Sequence, residues 1–171
     1  MKGMRVVCVV SLALSALLSA TWADEMGVVK QEAQTTHYRF ALQIGPKEPM
    51  YSKTEAAKMH PTSGEIMVSG RMTEMPMPMA SGMAMDERHL EVHVTSRATG
   101  KTVTNARVRI TVTDDSNKKA VAVPVAAMYG VKEGPSDWHY GNNVSMPPGT
   151  YTIEVVVNGE RGTFHVTIPK M

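Results

Sequence analysis

Apolar and polar residues alternate with period two along most of the chain, the pattern of half-buried strands. From His37 to Gly45, Phe40, Leu42 and Ile44 alternate with Arg39, Ala41 and Gln43. From Glu65 to Arg71, Ile66 and Val68 face away from Glu65, Met67 and Ser69. Leu90, Val92 and Val94 alternate with His89, Glu91 and His93 in a strand reaching Ser96. Val108, Ile110 and Val112 repeat the pattern between Ala106 and Thr113. Val121 to Tyr129 reads as one more strand, in which Pro124 argues for a sheet edge or a bulge. His139 to Met146 is ambiguous, and Pro147-Pro148-Gly149 ends it.

The firmest element is the last. Asn158-Gly159 separates two alternating runs, the signature of a type I′ hairpin. That turn pairs Val157 with Glu160, Ile153 with Phe164, Tyr151 with Val166 and Thr152 with His165. Nearly all large apolar residues then share one face, Val156 excepted. Lys53 to Met59 is the one stretch that suggests helical turns, and residues 24–36 read as a polar lead-in. Seven or eight short strands with almost no helix predict an all-β antiparallel β-sandwich over residues 37–171. Its expected core includes Phe40, Ile66, Val68, Leu90, Val92, Val108, Ile110, Ile153 and Phe164.

Residues 1–23 change the picture of where the chain works. Lys2 and Arg5 precede an apolar run from Val6 to Ala20, and Thr21-Trp22-Ala23 offers a small-x-small cleavage site, which reads as a secretory signal peptide. The run is short for a membrane span, so no membrane insertion is expected after cleavage. Removing residues 1–23 from the 171 leaves 148 residues without Cys8, the only cysteine. Without Lys2 and Arg5, the 18 Lys+Arg become sixteen, balancing 16 Asp+Glu. Net charge near zero gives no footprint for nucleic acid. A metal would have to be held by His, Met, Asp or Glu.

Methionine supplies the next clue. Seven of the 15 methionines fall within the nineteen residues from Met67 to Met85. Most lie in segment 72–85, where Pro76 and Pro78 break any period and prevent a single core-facing stripe. Methionine commonly fills irregular core gaps, but thioethers beside imidazoles also favour copper. His89 and His93 stand four apart on a strand, roughly 13 Å from end to end, so at most one serves a given ion. Both, with Glu91, face away from Leu90 and Val92 and need a covering segment, for which the Met/Pro run is the natural candidate. His139, within Trp138-His139-Tyr140-Gly141-Asn142-Asn143, is a further candidate; alone it reads first as a hydrogen-bonded loop histidine. Glu65 alone reads as a solvated carboxylate, and His37, His60 and His165 as surface residues. No nucleophile elbow, phosphate loop or His-Glu-x-x-His occurs, so no enzyme is expected.

Gly64-Glu65-Ile66, His89-Leu90-Glu91, Val123-Pro124-Val125, His139-Tyr140-Gly141-Asn142-Asn143 and the closing hairpin occur in one order. That order resembles the periplasmic Fe2+-transport accessory proteins of bacteria, across roughly residues 37–168. The resemblance implies an immunoglobulin-like β-sandwich, often a homodimer, that binds copper and assists iron uptake with an inner-membrane iron permease. Copper is the implied metal and iron the second. The implied copper ligands are His89, His139, Glu65 and one of Met83 or Met85. The density of methionines departs from the family and pulls toward copper handling for its own sake. Two other readings therefore stand beside it: a periplasmic copper chaperone or resistance protein, and a metal-free immunoglobulin-like structural or adhesion module.

Overall fold

The structure, a computed structural model, describes residues 22–23, 28–70 and 86–170. Apart from Trp22–Ala23, the expected signal peptide lies outside the described residues, as does the Met-rich segment 72–85 with Met83 and Met85. The strands are β1 (Trp22–Ala23), β2 (Val29–Gln34), β3 (Tyr38–Pro46), β4 (Met50–Ser52), β5 (Glu65–Ser69) and β6 (Glu87–Ser96). They continue with β7 (Val108–Asp114), β8 (Ala120–Val123), β9 (Ala126–Gly130), β10 (His139–Ser145), β11 (Gly149–Val157) and β12 (Glu160–Ile168). One helix, α1 (Lys53–Met59), follows β4, and a 3-10 turn spans Gly134–Asp137. Among the described residues, no helix is long and apolar enough to cross a membrane.

Eight strands form one sheet in the order β1-β2-β3-β6-β10-β9-β5-β4, and four form a second in the order β12-β11-β7-β8. Every pairing is antiparallel except β4 with β5. The core joins Phe40, Leu42 and Ile44 of β3 and Leu90, Val92 and Val94 of β6 to Ile110, Ile153, Val155 and Phe164 of the smaller sheet. The chain is thus an all-β sandwich, as the alternation predicts. Each large apolar side chain so enclosed stabilises the fold by about 1.5–3 kcal/mol over the exposed state.

The closing hairpin has the predicted register, with Val157 opposite Glu160, Ile153 opposite Phe164 and Thr152 opposite His165. Asn158 (φ 50°) and Gly159 (φ 95°) both take the left-handed backbone that a type I′ turn demands. Lys53–Met59 is helical as expected, started by a capping box in which Ser52 Oγ accepts from the Glu55 amide at 3.1 Å.

Three expectations need correction. Val29–Gln34 is a strand within the expected lead-in; it pairs with β3 along its whole length. Val121 to Tyr129 is two strands, because the chain leaves the small sheet after Val123 and enters the large one at Ala126, with Pro124 at the crossing. Ile66 and Val68 are only half-buried and lie outside the core. Their strand β5 sits next to the edge of the eight-stranded sheet, and four strands cannot cover the face of eight.

Candidate metal centre

The site lies on the face of the large sheet that turns away from the core. Strand alternation sends Leu90, Val92 and Val94 inward, so His89, Glu91 and His93 share the opposite face. Strand β10 runs beside β6 with Asn143 opposite His89 and Gly141 opposite Glu91, which carries His139 along the same face toward His93. The His139 ring consequently lies between the other two, with centroids 5.9 Å from His89 and 5.2 Å from His93. On its other side β10 pairs with β9, and β9 with β5, placing Glu65 opposite Gly130.

Glycines open the space. A Cβ at Gly141 would collide with the Leu90 carbonyl, so β6 and β10 come this close only with glycine there. A Cβ at Gly130 would run into the Glu133 and Asp137 carboxylates. Its amide instead donates to Asp137 Oδ2 at 3.1 Å.

Glu65, His89, Glu91 and His139 each present a ligand atom within 4.8 Å of the other three. All four are buried, with exposures of 4, 3, 8 and 0% respectively. His139 Nε2 stands 3.3 Å from Glu65 Oε2 and 3.6 Å from Glu91 Oε2. Two ligands on one tetrahedral ion, each bound at about 2.0–2.2 Å, are separated by roughly 3.3–3.6 Å.

The hydrogen bonds decide which ring nitrogens face the centre. His139 Nδ1 lies 2.7 Å from the Asp137 carbonyl oxygen, which can only accept, so Nδ1 carries the proton and donates. His89 Nδ1 lies 3.1 Å from Asn143 Oδ1. The Asn143 amide is oriented by the Glu48 backbone, since its Nδ2 donates to Glu48 O at 2.8 Å and its Oδ1 accepts from Glu48 N. His89 Nε2 is buried without a hydrogen-bond partner among the described residues, and His139 Nε2 and Glu65 Oε2, equally buried, have only each other and Glu91 to face. Polar atoms buried in this way are costly unless something is meant to occupy them. Imidazoles with Nδ1 tied to an acceptor and Nε2 presented are the arrangement of metal-ligating histidines.

Electrostatics agree with the geometry. Burial disfavours a charged His139, but its contact with Asp137 and the carboxylates of Glu65 and Glu91 outweigh burial and hold it up at about 10. Burial, above all, pushes Glu91 up to about 7, against the lowering influence of His139. Burial also keeps His89 and His93 below the ordinary imidazole value. Without a metal, the His139 imidazolium is the countercharge to two carboxylates. A divalent cation could take its place with both imidazoles neutral.

The structure brings together Glu65, His89 and His139 from the expected ligand set. Glu65 is enclosed, not solvated, and His139 is on a strand. Met83 and Met85 lie outside the described residues. His93 stays out of the group containing His89, as strand spacing requires, but forms its own group with Asp137 and His139. Glu91 is the donor that sequence reasoning missed, although its place between two outward histidines was visible in the alternation. Part of the cover is the Glu48 segment, tied down by Asn143. No protein-family model, curated protein or solved structure matches the chain.

Proposed function

We propose that this chain is an exported copper-binding protein that assists iron uptake through an inner-membrane permease, built as an immunoglobulin-like sandwich that pairs with itself. The observation that carries metal binding is the convergence of four buried donors, Glu65, His89, Glu91 and His139, in which both imidazoles turn Nε2 to the centre with Nδ1 tied to a protein acceptor. Two imidazoles and two carboxylates suit Cu(II) and other borderline divalent ions. The nearby methionines favour copper among these, and a thioether from segment 72–85 would keep Cu(I) bound after reduction. The role in iron uptake and the self-pairing rest on the order of motifs that resembles the periplasmic iron-transport accessory proteins.

The test is the metal content of the protein purified from periplasm, followed by copper titration of His89→Ala and His139→Ala. One copper per chain, lost in both variants, is the expected result. A chain that takes up no copper when titrated, and purifies without metal, would leave the metal-free structural module as the surviving reading.

A copper chaperone or resistance role is the second reading. It is favoured by Met128, fully buried on β9 outside the hydrophobic core cluster and directly opposite His139, with Met67 opposite it on β5. Deleting the gene separates the two roles: impaired growth on limiting iron supports the first, and copper sensitivity alone supports the second.

A further inference from the structure

Met128 is fully enclosed, at 0% exposure, yet it packs outside the hydrophobic core cluster. Met146, equally enclosed, does belong to that cluster and fills it as methionine commonly does. The difference is one of face. Met128 stands directly across from His139 on β10, and Met67 of β5 directly across from Met128. Residues paired in this way project from the same face of a sheet, with Cβ atoms about 4.5–5.5 Å apart. One row across β5, β9 and β10 thus carries two thioethers and an imidazole on the face that holds the buried centre.

Strand β9 is also the strand over which that centre closes. Glu65 on β5 and His139 on β10 lie two strands apart, roughly 9–10 Å. Their Oε2 and Nε2 atoms still come within 3.3 Å of each other. Gly130 of β9, opposite Glu65, brings no side chain into the space between them. Met128 borders that space two residues along β9, and Met67 stands two residues along β5 from Glu65. Met67 is half-buried where Met128 is enclosed. The flexible, unbranched side chain of methionine lets each sulfur turn toward the ring beside it.

We propose that Met67 and Met128 form a Cu(I) position beside the buried centre, with His139 as the imidazole shared between the two. The proposal rests on the buried centre's being a copper site. Two thioethers and an imidazole are soft and borderline donors that select Cu(I), whereas the carboxylates of Glu65 and Glu91 suit a divalent ion. A Cu(I) ion therefore takes the β9 side of His139, and a Cu(II) ion the side of Glu91 and His89. Met67, the more exposed of the two, is the thioether an incoming ion meets first.

The experiment titrates the isotope-labelled full-length mature protein with Ag(I), a redox-inert stand-in for Cu(I), and follows the assigned methionine methyl resonances. At one equivalent, the Met67 and Met128 methyls should both shift. Met67→Leu and Met128→Leu, which conserve volume, should each weaken Cu(I) binding at least about tenfold and leave Cu(II) affinity unchanged. Competition against a Cu(I)-selective chelator under anaerobic, reducing conditions reads the first, and Cu(II) titration reads the second. Circular dichroism checks that both variants fold. Shifts confined to methionines other than Met67 and Met128, or variants that hold Cu(I) as tightly as wild type, would overturn the thioether position alone. Wild type that takes up no Cu(II) overturns the reading of the centre instead. In that case, Ag(I) shifts at Met67 and Met128 would still sustain the Cu(I) position.

Discussion

Asn143 Oδ1 lies 3.1 Å from His89 Nδ1, and through this contact a residue that is not itself a candidate ligand settles which nitrogen His89 presents to the centre. Outer hydrogen bonds of this kind fix ring orientation and tautomer, and losing one costs about 10–100-fold in metal affinity. Asn143→Ala should therefore weaken copper binding by about that factor, while Asn143→Asp, which keeps an acceptor at the same place, should largely preserve it. Competition against a chelator of known affinity reads the difference. Equal affinity in wild type and Asn143→Ala would show that the contact does not orient the ring.

Glu91 should trade stability for binding. Its folded value of about 7 exceeds the unfolded carboxylate value. Stability from its neutral form is therefore fully present below the ordinary carboxylate range and is lost as pH rises through about 7. At pH 8 the ionised, buried group weakens the metal-free fold. Glu91→Gln should stabilise the metal-free protein at that pH by up to about 3 kcal/mol, one pKa unit being about 1.4. The same variant should bind copper at least about tenfold more weakly, having lost a charged ligand. Thermal melts at pH 5 and pH 8 decide it, since the gain should appear only at the higher pH.

Metal binding should release a proton. His139, held up at about 10, is protonated in the metal-free chain at neutral pH, and an ion on Nε2 must displace that proton. Copper affinity should then rise close to tenfold per pH unit between about pH 7.5 and 9, where Glu91 is already ionised. Calorimetric titration in two buffers of different ionisation enthalpy counts the protons directly. Affinity that stays flat across this window would mean His139 is neutral before the ion arrives.

How much of this was legible in the chain depended on whether the deciding contact was local. The β11–β12 hairpin was legible because Asn158-Gly159 sets its own register, and every pair along it follows from that one turn. Strand β2 was hidden because its inward positions include Gln31, which is buried and donates from Nε2 to the His165 carbonyl at 2.6 Å. An inward polar residue erases the alternation that marks a strand. At the site, the common face of His89, Glu91 and His93 could be read from β6 alone. The arrival of His139 could not. It depends on β10 pairing with β6 across more than forty intervening residues. The Glu65 contact needs two further pairings, β10 with β9 and β9 with β5, and no local pattern encodes them.

The contact between Gly162 and Phe40 offers a test of the sandwich independent of any metal. Phe40 is fully buried on β3 at the centre of the core. A Cβ on Gly162 of β12 would stand 2.5 Å from its Cδ2 and 2.9 Å from its Cε2, closer than such atoms pack. Gly162→Ala must then push the ring off its rotamer or part the strands, a strain of about 1–3 kcal/mol. Trimming the ring removes the collision but leaves a cavity, so Phe40→Leu alone should also destabilise. Together the two changes should cost less than their sum by about 0.5–3 kcal/mol, because each relieves what the other creates. Urea unfolding of the four proteins measures the cycle. Strict additivity would mean that the two sheets do not meet at this pair.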